Sequence, residues 1–311
     1  MRVHRKQTIH AAVIIVLFLI IVISGSVVFI GWKNKINNER RELLLLWEEG
    51  AYGEAYSLSR ERLINKPMDF FLLTLHGFSA YQLAVAQIND YDTKTYIDES
   101  IWSLRKALLC TEGPEDFRIP YILGKAYYAK GSGYEDLAVK FLEAARDGNY
   151  QASDLPEFLG LAYASVHDYR NSVAAFSLAL NAGTEGAYDG GSFPSDLLLL
   201  SIARSYVALD ETESARAYLM RCLETSRDSK TTIAARLLLG EIFVKEENAE
   251  GAEAQYLTIL KEDGENAEAH FQLGELYATI GDPTRARAEW RRAIRINPAH
   301  RPARQRLNNV N

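Results

Sequence analysis

Apolar residues return at helical spacing along most of this chain, and the clearest case is residues 267–300. There Leu273, Gly274 and Tyr277 are followed by Ala286, Trp290 and Ala293, the last three at intervals of four and three. Such intervals place side chains on one face of a helix. Between the two groups stands Gly281-Asp282-Pro283, in which glycine suits a helix C-cap, aspartate an N-cap and proline a first helical turn. The pattern predicts a helix, a tight turn and a second helix that Pro298 ends.

The pattern recurs. Gly240 lies thirty-four residues before Gly274, with Phe243, Ala252 and Tyr256 at the matching places. Further upstream come Ala203, Tyr206, Ala215, Leu219 and Cys222, then Gly160, Tyr163, Ser172, Phe176 and Ala179, then Gly124, Tyr127, Ala138, Leu142 and Ala145. Partial sets follow at Gly77, Ser100, Leu104 and Ala107, and at Leu43, Leu46, Ala55 and Pro67. This register resembles the tetratricopeptide repeat. The resemblance covers residues 36–300 and implies an all-α, helical-hairpin solenoid of seven units: 36–69, 70–116, 117–152, 153–195, 196–232, 233–266 and 267–300. No such unit buries its apolar face alone, so stacked neighbours share one core and the aromatic positions are core positions first.

Three stretches exceed the register. Gln87–Glu99 and Lys130–Glu135 lengthen turns between paired helices, and the glycine-rich Gly183–Ser195 reads as a loop between units. Cys110 and Cys222 are too few for a disulfide framework and read as buried thiols.

Residues 1–8 form a basic tail, and residues 9–31 hold no acid, lysine or arginine, sixteen of the twenty-three being Ile, Val, Leu or Phe. At 1.5 Å per residue such a helix reaches about 34 Å, enough for a ~30 Å hydrocarbon core, and its insertion is favoured by up to about 5–10 kcal/mol. The stretch is read as a single uncleaved transmembrane helix. A cleaved signal peptide is the alternative, though apolar residues Val27 to Ile30 continue past the small residues Ser24-Gly25-Ser26. Three cations precede the span and Lys33, Lys35, Arg40 and Arg41 follow it, close to a tie. A short charged N-tail resists translocation, which favours a cytoplasmic N-terminus and an extracytoplasmic repeat domain.

Charge is unevenly spread. Residues 1–41 and 282–306 each carry +6, which leaves −18 for residues 42–281 of the total of −6. An acidic body excludes a nucleic-acid track. The arginine-rich end, with Arg287, Arg291, Arg292 and Arg295, followed by a basic tail at 301–311, is either a solvated capping face or a dock for acidic protein or lipid headgroups. The histidines are scattered, with no zinc spacing, no phosphate-binding glycine loop and no nucleophile elbow, so no metal, cofactor or catalytic residue is expected.

The resemblance implies that the first helices of successive repeats line a groove for peptides or partner helices. On that geometry Arg118, Tyr121, Lys125 and Tyr128 share one helical face, and Arg204 stands at the Lys125 place two repeats later. Cations beside aromatic rings suit an acidic or extended protein segment. The bland alternative is that the cations snorkel over neighbouring helices. The family's carboxylate clamp is missing here. The reading is a membrane-anchored scaffold or adaptor for protein–protein interaction, with no small-molecule substrate; the alternative is a regulatory subunit of an envelope enzyme, or such an enzyme itself.

Overall fold

A computed structural model describes residues 40–86, 90–110, 113–185 and 196–309. All regular structure among them is α-helical. The transmembrane reading of residues 9–31 lies outside the described residues, as does most of the loop read at Gly183–Ser195. Among the described residues no helix is long and apolar enough to cross a membrane.

The chain divides into two compact bodies, Met1–Lys130 and Gly131–Asn311. The first holds α1 (40–48), α2 (Tyr52–Asn65), α3 (Phe70–Ala86), α4 (Asp90–Ala107) and α5 (Arg118–Lys130). The second holds α6 (Glu135–Asp147), α7 (Leu155–Ser165), α8 (Tyr169–Glu185), α9 (Asp196–Ala208), α10 (Thr212–Thr225), α11 (Ser229–Lys245), α12 (Ala249–Glu262), α13 (Ala267–Thr279), α14 (Pro283–Ile296) and α15 (Arg301–Asn308).

Within the second body each helix packs on its chain neighbours, and α7, α9, α11 and α13 also touch in succession. Alternate helices thus form one layer, the arrangement of a tetratricopeptide-type solenoid. In the first body α3 touches both α4 and α5.

The register glycines mark where the two helices of a hairpin cross. A Cβ at Gly274 would lie 2.6 Å from Trp290 Cδ1, one at Gly240 2.4 Å from Tyr256 Cε1, and one at Gly160 2.4 Å from Phe176 Cδ1. In each pair the large residue follows the glycine by sixteen positions. The knob enters the space of the missing side chain. Ala203 and Leu219, also sixteen apart, share one core cluster with Ala215, Cys222, Ala235 and Leu239.

The turns of the hairpins α7–α8, α9–α10, α11–α12 and α13–α14 each hold a residue in the left-handed conformation. Gly281 takes it at φ 83°, with Asp282 Oδ1 accepting the Arg285 N–H at 2.9 Å and Pro283 in the first turn. His167, Asp210 and Glu247 hold the same backbone at φ 62°, 66° and 58° without glycine's freedom.

Three expectations need correction. No thirteen-residue loop separates α3 from α4, because α4 begins at Asp90 and buries Ile97, Ser100, Ile101, Leu104 and Ala107 along one stripe. Gly77 and Leu104 are twenty-seven apart rather than sixteen, yet a Gly77 Cβ would still lie 2.5 Å from Leu104 Cγ. The extra chain lengthens the helices: α3 has 17 residues and α4 has 18, against 13 and 14 in α13 and α14. Secondly, the basic tail at 301–311 folds over Arg301–Asn308 as α15, since His300 Nδ1 accepts the Ala303 N–H at 3.2 Å and Ala303 is wholly buried. Thirdly, Cys222 is buried but Cys110 is only partly so, its thiol 3.3 Å from the Met68 carbonyl.

Candidate protein-interaction face

On α5 the row of Arg118, Tyr121, Lys125 and Tyr128 runs beside α3. Lys125 Nζ donates to the Tyr121 hydroxyl at 3.0 Å. The same ammonium stands 4.9 Å from the Tyr121 ring centroid and 5.7 Å from that of Tyr81 on α3. Arg118 chelates Asp116, with Nε 2.9 Å from Oδ1 and Nη2 2.6 Å from Oδ2, and its guanidinium lies 5.6 Å from the Phe78 ring centroid. Arg118 is exposed, Lys125 and Tyr128 are half-buried, and Tyr121 is 8% exposed. Tyr121, expected on the open face, is therefore a core residue whose hydroxyl accepts from Lys125.

The structure adds Phe78 and Tyr81, which the sequence reading passed over. Their signal was the register itself, since Phe78 follows Gly77 as Lys125 follows Gly124. Arg204 belongs to α9 in the second body and is exposed. Its charge reaches Glu241 on α11. Glu241 meets solvent yet is crowded by protein, and that desolvation with the Glu268 charge raises its carboxyl pKa while Arg204 opposes the rise.

The arginine patch is partly spoken for. Arg287, Arg291, Arg292 and Arg295 are all exposed on α14. Arg292 bonds the buried Glu289, whose other oxygen lies 2.6 Å from His270 Nδ1. Arg285 pairs with Asp282, and Arg306 chelates Glu275 at 2.9 Å. Arg306–Glu275 joins α15 to α13 and His270–Glu289 joins α13 to α14, while the Arg292 and Arg285 pairs are local to α14 and its N-cap.

A Ser–His–Glu sequence of contacts lies inside the first body. Ser59 Oγ is 3.0 Å from His76 Nδ1, and His76 Nε2 is 3.4 Å from Glu99 Oε2. Ser59 is 0% and His76 3% exposed, and the Ser59 hydroxyl donates to the Tyr56 carbonyl at 2.9 Å. A nucleophile that no substrate reaches does no acyl transfer, so the contacts cross-link α2, α3 and α4. Burial lowers the His76 pKa, against the opposing pull of the Tyr56 carbonyl and Glu99; Arg60 adds to the lowering. The imidazole is thus neutral in the fold over pH values at which the unfolded chain already protonates. The contribution of His76 to stability should be flat above about pH 6.5 and fall as pH drops from there to the folded pKa, by at most ~1.4 kcal/mol per unit. Urea midpoints at pH 7.5 and 5.5 check this: wild type should lose more than His76→Gln. Among the described residues no group of three or more His, Cys, Asp or Glu is placed to hold a metal.

The fold belongs to the helical-repeat class. Residues 267–300 and 198–229 each match a family model described as tetratricopeptide repeat, and the chain carries such repeats. It is similar to the anaphase-promoting complex subunit CDC16 of Saccharomyces cerevisiae, at 27% identity over 194 residues. That match takes in 60% of this chain and 22% of the yeast protein, so the chain spans under a quarter of that relative's length. Of solved structures, the C-terminal part of a TPR repeat-containing protein from Cytophaga hutchinsonii superposes with a TM-score of 0.56 at 13% identity, covering 86% of this chain and 98% of that one. A tetratricopeptide repeat protein from Parabacteroides merdae gives 0.53 at 14%, covering 87% and 98%. The APC/C hetero-tetramer Cut9–Hcn1 gives 0.50 at 14%, covering 83% and 52%. At these identities the likeness is one of fold.

Proposed function

We propose that this protein is a non-catalytic scaffold that captures an acidic or extended segment of a protein partner on its first-helix face. The observation that carries the reading is Lys125, held by the Tyr121 hydroxyl between two aromatic rings on adjacent helices. A cation already fixed in place loses little side-chain entropy when a carboxylate arrives. Arg118 over the buried Phe78 ring adds a second cation–aromatic contact beside it. Relatives whose names describe subunits of a multi-protein complex support an assembly role. Residues 9–31 anchor the chain in a membrane, with the N-terminus cytoplasmic and the repeats extracytoplasmic; the support is the uncharged apolar run.

The test is affinity capture by the detergent-extracted full chain at low and physiological salt. Lys125→Glu should lose the partner that wild type retains, and reversing Arg291 and Arg292 should not. The opposite result would move the site to α14. Alkaline extraction should leave the chain with the membrane pellet; its release into the supernatant would remove the anchor from the reading.

A further inference from the structure

The outward side of α4 carries a second candidate surface, sharing no residue with the α3–α5 row. Trp102 is 57% and Leu109 71% exposed, although Ser103, Leu104 and Ala107 between them are wholly buried. The helix, packed on one side, leaves the Trp102 indole open on the other, and the turn that follows it leaves the Leu109 isobutyl group open beside it. With the buried edge of Ile101 they line an open cavity of about 450 Å³, within the range of about 300–1,000 Å³ typical of binding pockets. Its remaining walls are Asp98, Arg105, Lys106 and Lys130. Three cations face one carboxylate.

Those cations are positioned. Lys106 Nζ lies 4.1 Å from the Trp102 ring centroid. Arg105 Nη1 is 3.4 Å from the Tyr127 hydroxyl, and Lys130 pairs with Asp98. The Lys130–Asp98 pair cancels locally, so the excess positive charge rests on Arg105 and Lys106 beside the apolar floor. Residues 42–281 carry −18, so an anionic ligand is repelled from most of this surface and meets attraction at few places. Screening over about 8 Å at physiological salt lets so local a cationic site act.

We propose that this cavity docks a short acidic segment of a partner protein, one aliphatic or aromatic side chain entering between Trp102, Ile101 and Leu109 while flanking carboxylates meet Arg105 and Lys106. A peptide fits better than a bilayer because the site offers three apolar residues set among four charged ones, whereas interfacial insertion needs a continuous apolar helix face. Trp and Arg, both in its lining, are residue types that carry much of the binding energy in protein interfaces.

The experiment uses the full chain in detergent and a fluorescein-labelled probe peptide, a Leu-Phe pair with three acidic residues on either side. Anisotropy should report saturable binding that weakens with added salt. Trp102→Ala and Lys106→Glu should each weaken it by about tenfold or more. Leu109→Ser, at an exposed position in the turn after α4 where it cannot unfold the helix, should act in the same direction, and replacing the Leu-Phe pair by serines should also weaken binding. Lys125→Glu should bind the probe as wild type does, which keeps this site separable from the first-helix face. Equal binding by wild type and Trp102→Ala, equal capture of a lysine-flanked probe, or no binding by wild type at millimolar probe would overturn the proposal. So would a Trp102-dependent preference for anionic vesicles over the probe, or Trp102-dependent dimerisation in sedimentation runs, each of which assigns the surface to another occupant.

Discussion

Replacing Trp290 with alanine is expected to cost about 3–5 kcal/mol, the range for removing a large aromatic side chain from a packed core. Trp290 is 4% exposed and touches both the Gly274 backbone and a cluster formed by Ala252, Leu273, Tyr277, Ala293 and Ala303. The indole N–H has no hydrogen-bond partner among the described residues, so its loss removes no polar contact and the whole cost falls on packing. Because each hairpin leans only on its neighbours, the damage should stay local. Hydrogen exchange is the measurement: amides of α13, α14 and α15 should lose protection while those of α7 and α8 keep it. Uniform loss across the second body would contradict a nearest-neighbour stack.

A single added methyl group at Gly240 should also destabilise, against its intrinsic tendency. Glycine to alanine inside a helix gains up to about 1 kcal/mol from propensity alone. Here the new Cβ would sit 2.4 Å from Tyr256 Cε1 and 2.7 Å from Cζ. Tyr256 is fully buried and cannot swing aside. Overpacking of this kind costs about 1–3 kcal/mol, more than the propensity gain where the neighbour cannot yield. Gly53 in α2 is the control, since a Cβ there meets nothing within 4 Å. Gly53→Ala should therefore raise the urea midpoint and Gly240→Ala lower it. Two changes of the same chemistry with opposite signs would locate the constraint in the helix crossing rather than in the residue type.

That contrast explains why so much of the fold was legible beforehand. A glycine and its partner sixteen residues later are a sequence-level image of one contact, so repeating the spacing repeats the contact. The parts that escaped do so for physical reasons. The start of α4 reads DYDTKTYIDES, polar enough to pass for a loop, and its helix is revealed only by Ile97, Ile101 and Leu104 at three- and four-residue steps. The eight-residue helix α15 depends on one buried methyl group, Ala303, and a histidine cap. Ser59, His76 and Glu99 meet only because three helices cross, and no linear spacing encodes that. At the candidate face the α5 half was visible as a charged and aromatic row. The α3 half, Phe78 and Tyr81, was hidden in a repeat whose length departs from its neighbours.

That departure has a rule of its own. The eleven residues by which the Gly77–Leu104 interval exceeds the others enter as four after Gly77 in α3 and seven before Leu104 in α4. At 3.6 residues per turn, four is about one turn and seven about two, each within ~40° of closing the circle. Both helices grow along their axes with little rotation, so every side chain nearer the crossing keeps the direction it already faced. Helical hairpins of this kind have an angular reading frame: additions of whole turns preserve it, and those that stop half-way round would turn Leu104 away from Gly77. Length variation among such repeats is therefore quantised, and a family that tolerates insertions should carry them mostly as threes and fours, sevens and elevens.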